Sequence, residues 1–292
     1  MFFLQLTVLS HCLTDFIFQS SLVTAQRRSK NLRQRLKANL LHSSSVALLL
    51  FFILILWYKP STVLPFTFCI WLAHFIIDFT KSSLMVKSKP SKEDSNKRKG
   101  NSNYLLEIYS TFITRWKDTL LFITDQILHL LVILLLWHLI DIESGGLFHA
   151  LNFSNWKLKI LLIKFNRPLI INLLNYLIVY TITCFGGRFA INCIIEALKL
   201  NSKMALMNQK TIRFIEPSPI SGDYIGIFER FIILTLVISE AYSAISFVFT
   251  AKSLARFREL DNRDFVEYYL IGTLMSTVLG ISGGLLLKLL IL

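Results

Sequence analysis

The chain has 292 residues, of which 54% are hydrophobic, and its formal net charge is +13. A mean hydropathy of +0.57 and several nearly uncharged runs of sequence exclude a soluble globular domain, whose helices would carry polar faces throughout. The positive charge lies in the loops between these runs, where membrane orientation explains it, so no nucleic acid is expected as a partner.

Apolar runs that are long enough to cross about 30 Å of hydrocarbon predict about seven transmembrane helices. The predicted fold class is therefore all-α, a polytopic helical membrane protein. The Gly186-Gly187 pair leaves open whether the fifth span ends there, continues or forms a re-entrant element. In chain order the predicted spans are Phe2–Thr24, Asn39–Tyr58, Pro60–Met85, Thr119–Ile140, Pro168–Phe185, Tyr224–Ala251 and Val266–Leu290.

The spans divide into two predicted membrane domains. Residues 1–142 form a four-helix domain that contains a flexible basic loop at residues 86–104. A polar loop at residues 143–167 leads to a three-helix domain over residues 168–292. Acid-free or strongly basic segments follow the first and third spans, so the positive-inside rule places these loops in the cytoplasm and the N-terminus outside. The lipid bilayer is the expected partner of both domains.

Histidine and aspartate recur as pairs in the predicted spans. Three of the first four spans carry one of each, four residues apart, and the second span carries His42. A separation of four places both side chains on one face of a helix. An aspartate in mid-membrane costs about 2.5–3.5 kcal/mol, so three such pairs are expected to have a function. The pairs are His11/Asp15, His74/Asp78 and Asp125/His129.

All seven side chains are expected at about the same depth, roughly 5–15 Å from the cytoplasmic edge, when residues are counted from the basic loops. Imidazole and carboxylate are the ligands of zinc, manganese or iron, so the pattern predicts a site for one or two divalent metal ions. Asp15, Asp78 and Asp125 are also the candidate catalytic bases for a metal-dependent hydrolase of a membrane-associated phosphoester, amide or acyl substrate. The polar residues that adjoin the pairs, and that would orient the ligands, are Gln19, Lys81 and Gln126.

Two other functions remain open. The same residues would serve a cation or proton transporter as a relay, although no inverted repeat is found and the polar residues occupy one half of the chain. A structural or regulatory membrane protein would use them to hydrogen-bond its helices together. Alanine at the pairs would then change stability without the loss of a metal or an activity.

The C-terminal half carries less chemistry. Glu229 and Arg230 are expected to form a local ion pair near the start of the sixth span, with Glu240 inside that span. Small residues at intervals of four in the last span predict close helix packing, within the chain or in a homo-oligomer. This stripe consists of Gly272, Ser276, Gly280 and Gly284.

Several spaced motifs occur together. The N-terminal ones are His11-x3-Asp15-Phe16 with Gln19, Lys37 with Leu41-His42, His74-Phe75-x2-Asp78 with Lys81, and Asp125-Gln126-x2-His129. The C-terminal ones are Ile225–Arg230, Ala251–Phe257 and Glu267–Leu274. In these motifs the chain resembles a bacterial inner-membrane family, domain of unknown function 3307. The resemblance implies a multi-pass protein of the bacterial inner membrane and adds no particular activity. The polar motif is also similar in style to those of inner-membrane metal-dependent hydrolases, which is an analogy only.

Overall fold

The computed structural model describes residues 1–87, 104–140, 142, 167–198, 219–261 and 263–291, and all regular structure in these ranges is helical. The loops predicted at residues 86–104 and 143–167 fall, apart from their end residues, outside the described ranges. The helices are α1 (Phe2–Phe16), α2 (Ser21–Arg27), α3 (Leu32–Ile55), α4 (Pro60–Lys87), α5 (Tyr104–Leu139), α6 (Arg167–Tyr180), α7 (Gly187–Ala197), α8 (Pro219–Ile238), α9 (Tyr242–Ala255) and α10 (Arg263–Ile291).

The prediction of a helical membrane protein is confirmed, but the count of seven spans is not. Within the described residues, five helical stretches are long and apolar enough to cross a membrane, or six if α1 and α2 together form one bent span. A π-helical turn, Thr181–Gly186, joins α6 to α7, so the fifth predicted span continues through its glycine pair. The five stretches are Leu32–Ile55, Pro60–Val86, Trp116–Leu139, Pro168–Ala197 and Phe265–Ile291.

The first predicted span is broken, so the prediction of one helix over Phe2–Thr24 is wrong. Helix α1 ends at Phe16, and α2 leaves at 83° to it. Ser20 causes the restart, since its backbone is extended and its Oγ accepts a hydrogen bond from the Leu22 N–H at 3.3 Å, which caps α2. The bend turns the chain back, and it gives Arg27 a buried position in the bundle.

The sixth predicted span is broken as well. Glu240 adopts a left-handed backbone with φ of 59°, so it lies in a turn between α8 and α9 and not inside a span. The Ala241 N–H donates to the Leu236 carbonyl at 2.9 Å, and the Glu240 N–H donates to the Val237 carbonyl at 3.2 Å. This is the Schellman arrangement that ends a helix, with glutamate where glycine is usual. The Lys288 ammonium donates to the exposed Glu240 carboxylate at 2.8 Å.

The chain divides into two compact units, Met1–Leu174 and Asn175–Leu292. In the first, which we call unit 1, α3 packs against α1, α2 and α4, and α5 packs against α1 and α4. Its apolar core lies near the start of α1, where the rings of Phe3 and Phe66 meet edge to face with centroids 4.7 Å apart. The buried face of α1 becomes polar toward its C-terminus, and this change positions the candidate site.

In the second, which we call unit 2, α8 packs against α10 along the stripe of small residues. A Cβ atom added at Gly280 would lie 2.8 Å from Cγ2 of Ile233, and one added at Gly284 would lie 2.6 Å from Cβ of Val237. These glycines therefore allow the two helices of one chain to approach closely. The homo-oligomer through Gly272, Ser276, Gly280 and Gly284 stays a prediction.

Candidate metal centre

Seven histidine and aspartate side chains from four helices meet inside unit 1. Each residue is at most 8% exposed. They are the seven residues that the spacing of the pairs singles out in the sequence. Helix α1 supplies two, α3 one, α4 two and α5 two: His11, Asp15, His42, His74, Asp78, Asp125 and His129.

Four of these side chains form the centre of the cluster. His42 Nε2 lies 3.2 Å from Asp15 Oδ1 and 3.5 Å from Asp78 Oδ2. His74 Nε2 lies 3.6 Å and 3.3 Å from the same two oxygen atoms. Two imidazole nitrogens thus alternate with two carboxylate oxygens around a closed ring of contacts.

None of these four atoms makes a hydrogen bond within the described part of the chain. Asp125 Oδ1 and His129 Nε2 are equally buried and unsatisfied. Leaving a buried polar atom without a partner costs about 1–3 kcal/mol, and more if it is charged. Several such atoms facing each other are typical of a site that holds a ligand.

Two cations hold the outer oxygens of the carboxylates. The Arg27 guanidinium pairs with Asp78 through Oδ1, which leaves Oδ2 to the centre. The Lys81 ammonium donates to Asp125 Oδ2 at 2.6 Å, and the Gln126 amide donates to the same oxygen at 3.1 Å. Asp78 and Asp125 therefore each turn one oxygen outward to a cation and the other into the cluster.

The histidine rings are oriented by their neighbours. His129 Nδ1 lies 2.8 Å from the Asp125 carbonyl oxygen, which assigns the proton to Nδ1 and leaves a lone pair on Nε2. The rings of His74 and His129 have centroids 4.2 Å apart, and His11 stacks on His129 at 4.9 Å. A backbone carbonyl that fixes the tautomer is the usual support of a metal-ligating histidine.

A small cavity adjoins the three histidines of this stack. Its volume is about 10 Å³, and apolar side chains such as Leu50 and Ile133 form much of its wall. This is about the space that one water molecule needs. The cluster is thus packed closely, with room beside it for a water-sized species.

The three auxiliary residues predicted from the sequence have different outcomes. Lys81 and Gln126 contact Asp125, as described above. Gln19 follows Asp15 by four residues, but α1 ends at Phe16, so Gln19 does not continue the His11/Asp15 face of that helix. Gln19 lies half-buried in the connection between α1 and α2.

A second polar layer, which is not among the residues predicted from the sequence, lies under the cluster. Arg27 donates from Nε to Asn39 Oδ1 at 2.9 Å, and Ser82 Oγ donates to the same oxygen at 3.3 Å. Ser82 follows Asp78 by four residues and Asn39 precedes His42 by three, so both lie on the functional faces of their helices. That spacing could have identified them, but nothing local in the sequence indicates the inward turn of Arg27.

A family model described as "Protein of unknown function (DUF3307)" matches residues 2–158. The chain belongs to this family. The matched DUF3307 region contains the whole cluster, and it ends before the C-terminal motifs that begin at Ile225. No curated protein and no solved structure matches the chain.

Proposed function

We propose that unit 1 binds a divalent metal ion, zinc, manganese or iron, and uses it to hydrolyse a membrane-associated substrate. The observation that carries the proposal is the ring of two imidazole nitrogens and two carboxylate oxygens described above. All four atoms can ligate a metal, none has a hydrogen-bond partner in the described chain, and neighbouring atoms of the ring are 3.2–3.6 Å apart. Ligand atoms about 2.0–2.2 Å from a tetrahedral metal ion are about 3.3–3.6 Å from one another. The four edges of the ring therefore have the length of edges in such a shell, and ligand atoms of His42, His74 and Asp78 all lie within 4.8 Å of one another.

The remaining ligands support a second ion next to the first. Donor atoms of Asp78, Asp125 and His129 lie within 4.8 Å of one another, and so do those of His11, Asp15 and His74. Asp78 belongs to both the central ring and the first of these triads, so its carboxylate would be shared. Paired metal ions about 3.5–4 Å apart are common in enzymes that hydrolyse phosphoesters.

Hydrolysis is the chemistry that this donor set serves best. A divalent ion makes a bound water acidic enough to lose its proton near neutral pH. Whichever of Asp15, Asp78 and Asp125 is not needed as a ligand would accept that proton as a general base. A phosphoester, amide or acyl bond at the cytoplasmic face of a bacterial inner membrane is the proposed substrate, in line with the loops that the positive-inside rule places there.

Elemental mass spectrometry of the full chain in detergent tests the metal site. The native protein is expected to carry one or two equivalents of zinc, manganese or iron, and a folded Asp15→Ala/His74→Ala variant is expected to carry none. His138→Ala is the matched control, because His138 is exposed on α5 outside the cluster. A native protein that stays metal-free after reloading at neutral pH would refute the proposal.

Burial of the cluster favours one other function, the transport of a cation. All seven residues are at most 8% exposed, and the adjoining cavity of about 10 Å³ has no room for a large substrate. Flux of protons or divalent cations into liposomes would distinguish the two functions. Flux that the Asp15→Ala/His74→Ala variant loses favours transport, whereas metal-dependent turnover of lipid phosphates, acyl esters or peptides without flux favours hydrolysis.

A further inference from the structure

Unit 2 contains an open cleft of about 690 Å³ between α7, α8, α9 and α10. Ligand pockets for small molecules have volumes of about 300–1,000 Å³. One wall is apolar and includes Ile191, Ile195 and Val248. Four cations and two acids also line it: Arg188, Arg230, Lys252, Arg256, Asp223 and Glu229.

Arg230 is the deepest of these cations, with an exposed fraction of 2%. Its Nη2 and Nε donate to the Cys184 carbonyl at 2.6 Å and 3.2 Å, and Nη1 reaches Ser276 Oγ at 3.5 Å. All of these acceptors are neutral. The expected ion pair with Glu229 does not form, since Glu229 accepts from the Lys252 ammonium at 2.6 Å.

The other cations of the cleft each have an acid. Arg188 pairs with Asp223 at 2.6 Å, and Arg256 pairs with Glu259 at 3.1 Å. No carboxylate of the described chain forms a salt bridge with Arg230. A buried charge without a counter-charge is costly in an apolar protein, so an anion is expected there.

Two glycines keep the surroundings of this guanidinium open. A Cβ atom added at Gly187 would lie 3.1 Å from Arg230 Nε, and one added at Gly226 would lie 3.1 Å from Nη1. Gly226 also lines the cleft. A side chain at either position would crowd the guanidinium of Arg230, which itself lines the cleft.

We propose that this cleft binds the phosphate head group of an anionic phospholipid, with Arg230 as its principal ligand and the apolar wall against an acyl chain. The planar guanidinium matches the geometry of phosphate oxygens, and its hydrogen bonds to a charged acceptor are stronger than those to neutral oxygens. The bilayer around a membrane protein supplies such an amphiphile at high concentration. The proposal is independent of the metal site in unit 1.

Native mass spectrometry of the full chain, released from detergent after incubation with phosphatidylglycerol or phosphatidylcholine, tests the proposal. The native chain is expected to retain one phosphatidylglycerol with at least tenfold preference over phosphatidylcholine, and Arg230→Gln is expected to abolish that preference. Arg258→Gln is the matched control, because Arg258 is exposed and does not line the cleft. Equal retention of both lipids by the native chain, or an equal loss in the Arg258 variant, would overturn the proposal.

A second variant blocks the cleft without touching the charged groups. A Cβ atom at Gly272 would meet only Cδ1 of Ile195, at 3.9 Å, so the position has room for a side chain, and Gly272→Leu is the blocking variant once its unfolding temperature is shown to equal that of the native chain. It should retain at least tenfold less phosphatidylglycerol than the native chain, and undiminished retention would overturn the proposal. Inorganic phosphate at millimolar concentration is expected not to displace the lipid. Displacement would show that the acyl chain contributes nothing and that the ligand is a free anion, contrary to the proposal.

Discussion

The polar centres of the two units differ in what they lack. In unit 1, carboxylate and imidazole atoms face one another without hydrogen bonds, and the cations Arg27 and Lys81 stand outside the ring. In unit 2, the acids Asp223 and Glu229 are each paired, and the guanidinium of Arg230 is left with neutral acceptors. From this difference we expect a bound cation at the first centre and a bound anion at the second.

The same physical cost explains both centres. Ionisable groups within apolar helices are stable only when partners compensate their desolvation. Where the chain supplies an ion pair, as Lys252 does for Oε2 of Glu229, part of this cost is met within the chain. Where buried carboxylate and imidazole atoms, or a buried guanidinium, have no charged partner in the chain, we expect a ligand of the opposite charge from outside the chain.

The largest effect is expected from His74→Ala. His74 Nε2 contacts both central carboxylates, at 3.3 Å and 3.6 Å, so its removal opens the ring at two edges. We expect the metal content, measured by elemental mass spectrometry, to fall from one or two equivalents to less than about a tenth of that. His138→Ala, on α5 outside the cluster, should keep the native content. Equal metal content in the two variants would mean that the ring is not the binding site.

Arg27→Ala tests the outer support of unit 1. Removing the guanidinium leaves the Asp78 carboxylate, 1% exposed, without its cation. Breaking a buried pair from one side costs about 3–5 kcal/mol, so we expect a loss of this size in the free energy of unfolding, measured in detergent with a chelator present. The neighbouring Arg28 is exposed, and Arg28→Ala should change the free energy of unfolding by less than about 0.5 kcal/mol. Similar values for the two variants would contradict the buried pair.

The contrast between these two arginines also marks the limit of prediction from the sequence. Helical spacing suffices to place His11 with Asp15 and His74 with Asp78, because both members of a pair lie on one rigid helix. Arg27 becomes a partner of Asp78 only through the bend before α2. That bend depends on the cap that Ser20 forms, and a serine in an apolar run is equally compatible with an unbroken helix.

The break between α8 and α9 at Glu240 could not be predicted from the sequence for a related reason. A helix end of this type usually carries glycine, and a glutamate there gives no signal in the sequence. Membership of the helical membrane class follows from composition alone. The number of spans does not, because it depends on the breaks at residues 17–20 and 239–241, which contain neither glycine nor proline.

Added metal should stabilise the folded chain only through the histidine and aspartate cluster of unit 1. A ligand that binds only the folded state at about 100 times its dissociation constant adds about 2.7 kcal/mol to the free energy of unfolding. We expect a gain of this order when metal is added to the chelator-treated native chain, and none in Asp78→Asn. Glu229→Gln, which alters the paired acid of unit 2, should keep the full gain. Loss of the gain in Glu229→Gln but not in Asp78→Asn would reverse the assignment of the two centres.

The smallest effect is expected from Ser82→Ala. Its hydroxyl donates to Asn39 Oδ1, the oxygen that also accepts from Arg27 Nε, so it belongs to the layer that supports Asp78. Removal of one buried hydrogen bond costs about 0.5–1.5 kcal/mol in the free energy of unfolding. Ser83→Ala is the control, because the Ser83 hydroxyl bonds only to the Phe79 carbonyl one turn earlier in the same helix. The free energy of unfolding of both variants is measured in detergent. If Ser83→Ala lowers it as much as Ser82→Ala does, the hydrogen bond from Ser82 to Asn39 adds nothing to stability. The support of Asp78 would then consist of the guanidinium alone, and Arg27→Ala would account for the whole stabilisation of this layer.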